Sequence, residues 1–286
     1  MINVELKGGA VKEFENGTTP AEIAKSIGAG LYKSVCCAKV DGDLCDLRTP
    51  LEKDCKVELL TFDNVDGQKT FWHTASHVLA QAVKRLYPNA KCAIGPAVDN
   101  GFYYDFDVEK PFSPEDLEKI KAEMKKIVKS GLELERVELS PEEAEKKLED
   151  MNEPYKAELV KEHSDKGEHI TFYKQGEFID LCAGPHLMSV APIKAIELTA
   201  CTGAYWRGDA NNAQLCRVYG VAFPKASMLE EHLKKLEEAK LRDHNKLGRE
   251  LEYFTTVDYV GQGLPILLPK GARVVQLLQR WVEDVE

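Results

Sequence analysis

The sequence predicts an α+β protein with more than one folded unit. Short stretches of alternating apolar and polar residues, separated by glycine-containing turns, indicate β-strands. Other stretches have a helical apolar period and begin at residues that cap helices well. The length of 286 residues is enough for roughly two domains. A composition of 43% hydrophobic and 30% charged residues is ordinary for a globular protein and argues against disorder.

The first unit spans residues 1–62. Two strands, around INVELKGG and AVKEFENG, are separated by a glycine turn. A helix follows, with Thr19 as its cap, Pro20 at its first position and Gly28 at its end. Further strands are predicted around CCAKVDGDLCDL and KVELLTF. This order of strands and helix indicates a small β-grasp (ubiquitin-like) domain, in which no catalytic group stands out.

The second unit spans residues 63–224. We expect a helix from about 70 to 86, which ends before Pro88. Asp99-Asn100-Gly101 predicts a hairpin turn. Helices capped by Ser113 and Ser140 come next. The later helix and strands are predicted at EPYKAELVKEH, HITFYK, EFIDL, IKAIELTA and CRVYGVAF.

The last 62 residues have a different composition. Residues 225–247 read as one charged helix with a narrow leucine stripe, which is typical of a linker. Residues 248–286 begin a further unit and stop inside an amphipathic helix. We therefore expect the sequence to be the beginning of a longer protein.

Charge and cysteine content exclude some classes of protein. The net charge of −10 argues against a protein that coats nucleic acid, because phosphate contacts need clustered Lys and Arg. The N-terminal MINVELKGGA lacks the pattern of a secretory signal, and no apolar run is long enough to span a bilayer. The eight cysteines form no CxxC pair. We expect a cytoplasmic protein with reduced thiols and no membrane association.

Two short pairs carry the candidate chemistry. In HTASH, His73 and His77 lie one helical turn apart, but the glutamate of a metalloprotease motif is missing. In CAGPH, Cys182 and His186 have the same separation in a turn after a strand. The four side chains suit tetrahedral zinc. They equally suit a metal-free site in which imidazoles position a water.

Other candidates lie near these pairs in the sequence. Asp180 shares a strand face with Cys182, Tyr173 ends the preceding strand, and Lys156 lies on the helix EPYKAELV. Taken alone, each of the three is better explained by a surface or capping role. The stretch GAYWRGDANNAQLCRVYG (203–220) contains glycines, aromatics and an arginine, which suggests a binding loop for an RNA end.

HTASH and CAGPH, followed by GAYWRGDANNAQLCRVYG and LRDHNKLG, resemble bacterial threonyl-tRNA synthetases. The resemblance covers nearly the whole chain. Residues 1–62 are similar to the TGS domain of that family, and 63–224 to the editing domain that it shares with alanyl-tRNA synthetases. Residues 225–247 are similar to its linker helix, and 248–286 to a truncated start of the class II aminoacylation domain.

The resemblance implies an editing activity. Threonine differs from serine by one methyl group, which is worth only about 1–3 kcal/mol of discrimination. A second site that hydrolyses seryl esters on threonine tRNA would supply the missing accuracy. The resemblance assigns this site's catalytic residues as His73, Lys156, His77, Cys182 and His186. It assigns substrate binding to Tyr173, Asp180 and Gly95.

The resemblance also implies the cofactors and partners. Editing is expected to need no cofactor, with zinc held by His73, His77, Cys182 and His186 as the alternative. ATP, Mg²⁺ and a catalytic-domain zinc belong to the full-length ligase only, so we expect no ligase activity here. The partner is threonine tRNA mischarged with serine. A homodimer is expected of the full-length enzyme, and the oligomeric state of this chain is left open.

Two other functions fit the same residues. One is a freestanding zinc-dependent trans-editing hydrolase, which a bound metal would distinguish. The other is a non-catalytic tRNA-binding or regulatory module, which would bind tRNA equally well after His73→Ala and hydrolyse no ester.

Overall fold

The computed structural model describes residues 1–167, 169–261 and 263–286. These residues divide into two compact units, Met1–Leu229 and Glu230–Glu286, which are called the first and second unit from here on. The predicted units 1–62 and 63–224 both lie within the first. Helices and strands are both abundant, and the predicted α+β class is confirmed. Across the described ranges, the helices lack the combination of length and apolar character that crossing a membrane requires. The finer division into four segments stays a prediction.

The first unit opens with a mixed five-stranded sheet and a short helical region. Its elements are β1 (Ile2–Leu6), β2 (Val11–Phe14), α1 (Pro20–Ile27), α2 (Ala29–Ser34), β3 (Val35–Val40), β4 (Asp43–Cys45) and β5 (Cys55–Thr61). The strand order is β2-β1-β5-β3-β4, and β1 is parallel to β5. Helix α1 has the predicted Thr19 cap and ends at Gly28. Its buried Ile23 and Ala24 join the core of this sheet, and the predicted β-grasp fold is confirmed.

The rest of the first unit combines two further sheets with helices. Its elements are α3 (Val65–Leu86), β6 (Lys91–Cys92), β7 (Ala97–Val98), β8 (Gly101–Asp107), α4 (Pro114–Ser130), β9 (Leu134–Leu139), α5 (Pro141–Asp150), α6 (Pro154–Asp165), β10 (Ile170–Gln175), β11 (Phe178–Leu181), β12 (Ala195–Tyr205) and β13 (Gln214–Phe223). One sheet has the order β12-β13-β8-β6, with β7 also paired to β8. The other has the order β11-β10-β9.

Helix α3 is the central element of this region. It packs against α4 and against strands β8 and β13. Nearly all of its residues from 70 to 83 are buried, because the helix is covered on several sides. The core that it shares with its neighbours includes Phe71, Leu79, Phe102, Phe106 and Ile120. Helices α5 and α6 pack against one another and cover β10, which forms a smaller core around Val160 and Phe172.

The second unit contains helices and two short strands. Helix α7 (Ala226–Leu241) begins in the first unit, and the elements that follow it are α8 (His244–Glu250), β14 (Phe254–Thr255), β15 (Ile266–Leu267) and α9 (Pro269–Val285). Strands β14 and β15 pair antiparallel. One stripe of α9, which includes Leu278, Trp281 and Val285, is exposed.

Several elements differ from the sequence-based expectation, among them α3, β9 and the helix predicted over 225–247, and α2 was not predicted. Helix α3 begins at Val65 rather than near 70, because Gly67 lets its first turn pack against the Thr61 carbonyl. Strand β9 was not predicted, since its alternation is mostly charged. The helix predicted over 225–247 is divided, because the Asp243 side chain caps a new helix through the Lys246 amide.

Candidate functional site

Helix α3 places His73 and His77 side by side. Because the two residues are four apart on a helix, both rings project from one face, with 5.3 Å between ring centroids. His77 is buried and His73 is partly exposed to a cavity. The predicted geometry of the HTASH pair is therefore present.

The loop after β11 brings Cys182 and His186 to the same place. The Cys182 Sγ lies 3.3 Å from the His73 Nε2 and 3.2 Å from the His186 Nε2. One ligand atom from each of the four predicted side chains lies within 4.8 Å of all the others. The two pairs, 109 residues apart in sequence at His73 and Cys182, thus form one cluster.

Thr74 determines how the His186 ring is protonated. Its hydroxyl donates to the Thr70 carbonyl at 3.0 Å and accepts from the Leu187 amide at 3.0 Å. The hydroxyl proton is then in use, so the 3.2 Å contact with the His186 Nδ1 requires an Nδ1–H donor. In the neutral ring the Nε2 carries no proton and faces the Cys182 thiol, a tautomer assigned from this hydrogen-bond network.

A buried ion pair between Lys156 and Asp180 lies next to the cluster. The Lys156 Nζ lies 2.8 Å from one oxygen of Asp180, and both residues are only 4% exposed. The other oxygen accepts a 2.6 Å hydrogen bond from the Tyr104 hydroxyl and lies 3.6 Å from the His77 Nε2. The Asp180 carboxylate is therefore satisfied by three different elements, which keeps a buried charge in place.

The environment keeps this ion pair charged. Burial alone would lower the pKa of Lys156, but the Asp180 carboxylate outweighs it and leaves the pKa raised. Burial alone would raise the pKa of Asp180, and the Lys156 ammonium reverses this and leaves it lowered. A cation and an anion thus persist at the edge of the cavity at neutral pH.

The same burial keeps the histidines and the thiol neutral. Burial, reinforced by His77, lowers the pKa of His73 to about 3, and burial lowers that of His77 to about 4. Burial also lowers the pKa of His186 well below its usual value and raises that of Cys182 to about 12. Neutral imidazoles can accept hydrogen bonds at physiological pH, whereas the Cys182 thiol is a poor nucleophile.

A cavity of about 310 Å³ opens onto these groups. His73, His77 and Cys182 line it together with Lys156 and Asp180. Apolar contacts come from Ile94, Pro96, Leu159 and Leu181. His163 and His169 also line the cavity and were not predicted, because isolated histidines in a charged stretch carry no pattern.

Gly95 and Tyr173 occupy different positions around the cavity. Gly95 lines it, and a Cβ there would lie 2.1 Å from the Tyr104 ring, so only glycine fits. Tyr173 has no exposed surface and does not line the cavity. Its ring packs 4.4 Å from that of His186, and its hydroxyl donates to Asp46 at 2.8 Å. Tyr173 thus supports the cluster from behind.

The stretch predicted as a binding loop, 203–220, forms the end of the β12–β13 hairpin. Trp206 is buried against Tyr155, and its indole N–H donates to Glu158 at 3.1 Å. Arg207 pairs with Glu158 and Glu162. These partners engage the Trp206 ring and the Arg207 guanidinium, and the binding of an RNA end by this stretch stays a prediction.

The four-residue cluster is chemically able to hold a metal ion. Three imidazoles and a thiol are ligand types that zinc accepts, and their spacing is compatible with one shared ion. The Nδ1–H of His186 is directed to Thr74, which leaves the Nε2 lone pair available inside the cluster. The same donor set also works as a hydrogen-bonding site without metal.

Comparison with known proteins agrees with this arrangement. Residues 2–61 match the TGS domain, and residues 170–219 match the threonyl and alanyl tRNA synthetase second additional domain. Over all 286 residues the chain is 57% identical to the threonine–tRNA ligase of Clostridium perfringens strain 13. It is 57% identical to that of Clostridium botulinum strain Alaska E43 and, over 99% of its length, 53% identical to that of Acetivibrio thermocellus.

Over its whole length the chain is similar to threonine–tRNA ligases. It spans 44–45% of the length of these relatives and corresponds to their N-terminal region. The second additional domain match includes β10, β11 and the CAGPH loop, so the family likeness covers half of the cluster directly. The predicted resemblance is confirmed.

Proposed function

We propose that this chain is the editing part of a threonine–tRNA ligase and hydrolyses serine esters on threonine tRNA. One observation supports it most: a neutral imidazole at His73 and a cation at Lys156 line the same cavity. An ester hydrolase needs an acceptor that orients water and a positive group near the carbonyl oxygen.

The proposed reaction is the attack of a water on the seryl ester. His73 accepts a hydrogen bond from the water, whose oxygen attacks the ester carbonyl carbon. The negative charge that develops on the carbonyl oxygen is stabilised by the Lys156 ammonium. The bond between that carbon and the ribose oxygen then breaks, and the water proton passes to the ribose oxygen. The products are serine and tRNA with a free terminal hydroxyl.

The remaining predicted residues have supporting roles in this proposal. Asp180 keeps Lys156 charged and offers an anion to the α-ammonium of serine at the cavity edge. Gly95 provides backbone surface for the terminal adenosine. His77 and Cys182 shape and polarise the inner wall, and His186 lies behind it, 3.2 Å from the Cys182 Sγ. Tyr173, which lies behind His186, positions that wall rather than binding substrate directly.

A zinc-dependent hydrolysis is the second candidate, and the shared position of the four donor atoms favours it. His73, His77, Cys182 and His186 would hold the ion, which would supply Lewis-acid polarisation of a water or carbonyl. We prefer the metal-free reaction, because the cavity already presents a fixed cation at Lys156 that can stabilise the developing negative charge.

The wider assignment follows from the relatives. We propose a TGS domain at 1–62, an editing domain at 63–224, a linker at 225–247 and the start of an aminoacylation domain from 248. Threonine attachment with ATP is assigned to the full-length ligase, which would act as a homodimer on threonine tRNA. Free thiols at all eight cysteines, each within the described ranges, suit the cytoplasm proposed for it.

The test is deacylation of threonine tRNA charged with serine, with the threonyl form as comparison substrate. The chain should release serine and spare threonine, and His73→Ala should slow release by about 100-fold or more. His244→Ala, an exposed histidine in the second unit, should change nothing. Activity that disappears with a chelator and returns with zinc would support the second candidate. If wild type and His73→Ala bind tRNA equally well and neither hydrolyses the ester, the chain is a non-catalytic tRNA-binding module.

A further inference from the structure

A buried carboxylate of the β-grasp region, that of Asp46, contacts the CAGPH loop. Asp46 follows β4 and is 8% exposed. One of its oxygens accepts from the Tyr173 hydroxyl at 2.8 Å and from the backbone amide of His186 at 3.2 Å. Asp46 is 140 residues from His186 in sequence. A group outside the sheets that hold the cluster therefore binds the residue at one end of CAGPH.

Arg48 extends the same contact along the loop. Its guanidinium is 3.0 Å from Asp46 and donates to the carbonyls of Leu187 at 2.8 Å and Leu134 at 3.0 Å. The loop thus receives an acceptor at the His186 N–H and donors at the His186 and Leu187 carbonyls, and the Leu134 carbonyl ties Arg48 to β9. Met188 also packs against the core of the β-grasp sheet. Charged hydrogen bonds of this kind, largely shielded from water, are stronger than neutral ones.

Asp46 is connected to the Cys182 thiol through two residues, Tyr173 and Gly184. The Tyr173 hydroxyl that Asp46 holds leaves no room for a side chain at Gly184, where a Cβ would lie 2.2 Å from it. The Gly184 amide in turn donates to the Cys182 Sγ at 3.3 Å. On the other side, the Tyr173 ring packs on the His186 imidazole. A displacement of Tyr173 would therefore be felt at both functional side chains of the loop.

We propose that Asp46, held by Arg48, is a positioning residue of the catalytic site, and that the β-grasp region is needed for the reaction because it fixes the CAGPH loop. This role rests on the proposed function for its kinetic consequence. Its structural consequence, the position of Cys182, is independent of that function. Asp46 has no contact with the cavity and acts only through Tyr173 and His186.

The experiment compares Asp46→Asn with Asp54→Asn in the full chain. Asp54 is an aspartate of the same region that also accepts from a backbone amide, at Asn3, and it lies away from the loop. Asn at 46 keeps the size but presents an N–H₂ group or a weaker acceptor to donors. Tyr173→Phe, which removes only the hydroxyl held by Asp46, is the second variant in case Asp46→Asn folds poorly.

The kinetic readout separates positioning from general destabilisation. Asp46→Asn should lower kcat for seryl-tRNA deacylation by about tenfold or more, the effect of losing one charge-assisted hydrogen bond. KM should stay within about twofold, because the residues lining the cavity are unchanged. Tyr173→Phe should give the same pattern, and Asp54→Asn should match the wild type. Wild-type kcat in both Asp46→Asn and Tyr173→Phe would overturn the proposal.

The chemical readout does not depend on enzymatic activity. Iodoacetamide labelling, followed by peptide mass spectrometry, should be several-fold faster at Cys182 in Asp46→Asn, with labelling of Cys201 unchanged as the internal control. Faster labelling of both cysteines would indicate general loosening and would overturn the proposal. If the wild type hydrolyses no seryl ester but Cys182 labelling still accelerates selectively, the proposed function fails while the positioning role holds.

Discussion

The HTASH and CAGPH pairs have the same spacing but are held by different forces. His73 and His77 belong to α3, whose own backbone hydrogen bonds and buried neighbours set both rings. Cys182 and His186 lie in a loop without regular structure, and side chains from other elements, Asp46 and Thr74, hold it. One pair is positioned locally and the other by tertiary contacts.

This difference has a consequence for how each pair responds to mutation. A helical pair is insensitive to distant changes, because helix geometry depends on its own backbone. A loop pair depends on each external hydrogen bond, because few local interactions replace a lost one. The loop pair should therefore be displaced by substitutions that leave α3 unchanged. Substitutions at the ion pair and at Gly184, and a pH change acting on His77, test this difference in order of decreasing expected effect.

The largest effect is expected from Lys156→Met, which removes the charge beneath both pairs. Asp180 would be left buried without its cation, which costs about 3–5 kcal/mol of unfolding free energy. Lys161→Met, an exposed position on the same helix α6, should change it by less than about 0.5 kcal/mol. Urea denaturation of both variants gives the comparison. Similar unfolding free energies for the two variants would mean that the ion pair contributes little to stability.

A smaller effect, confined to the loop pair, is expected from Gly184→Ala. Gly184 and Gly131 have similar positive φ angles of 76° and 68°, so alanine strains both backbones by about 1–2 kcal/mol. Only at Gly184 does the new Cβ also meet a side chain, that of Tyr173, whereas the space at Gly131 is open. We expect Gly184→Ala to slow seryl-tRNA deacylation by about tenfold.

Gly131→Ala is the control for backbone strain and should keep wild-type deacylation while lowering the melting temperature slightly. Equal deacylation rates in the two alanine variants would contradict the idea that tertiary contacts hold the loop. Thermal melts of both proteins separate a local from a general loss of stability.

At neutral pH the smallest effect comes from the helical pair, because its contribution to stability appears only below pH 6.5. Burial lowers the pKa of His77 to about 4 from an ordinary value of 6.5. Below pH 6.5 the unfolded chain therefore binds a proton that the folded chain does not. Stability should fall by about 1.4 kcal/mol per pH unit between these values, and be unaffected above them. Thermal melts of metal-free protein at pH 7.5 and 5.0 should differ less in His77→Gln than in wild type. An identical pH response would assign the effect to other groups.

Much of the fold was predictable because the relevant signals are local. Capping residues such as Ser113 and Ser140 and the glycine after α4 mark helix ends through interactions within a few residues. The β-grasp order followed from short alternating strands. Strand β9 was not predicted, because its charged alternation resembles that of a solvated segment. The division between α7 and α8 escaped because a leucine stripe continues across it.

The sequence by itself determined the local elements, the two pairs at their four-residue spacing and the family likeness. Only the tertiary structure decided that Lys156 and Asp180 form a buried ion pair, that Trp206 is inside the protein, and that Asp46 hydrogen-bonds to the CAGPH loop. The physical reason is the separation in sequence between the residues that interact. Helix periods, caps and turns depend on residues a few positions apart, whereas these three contacts join segments 24 to 140 residues apart, and a single sequence carries no signal for such pairings.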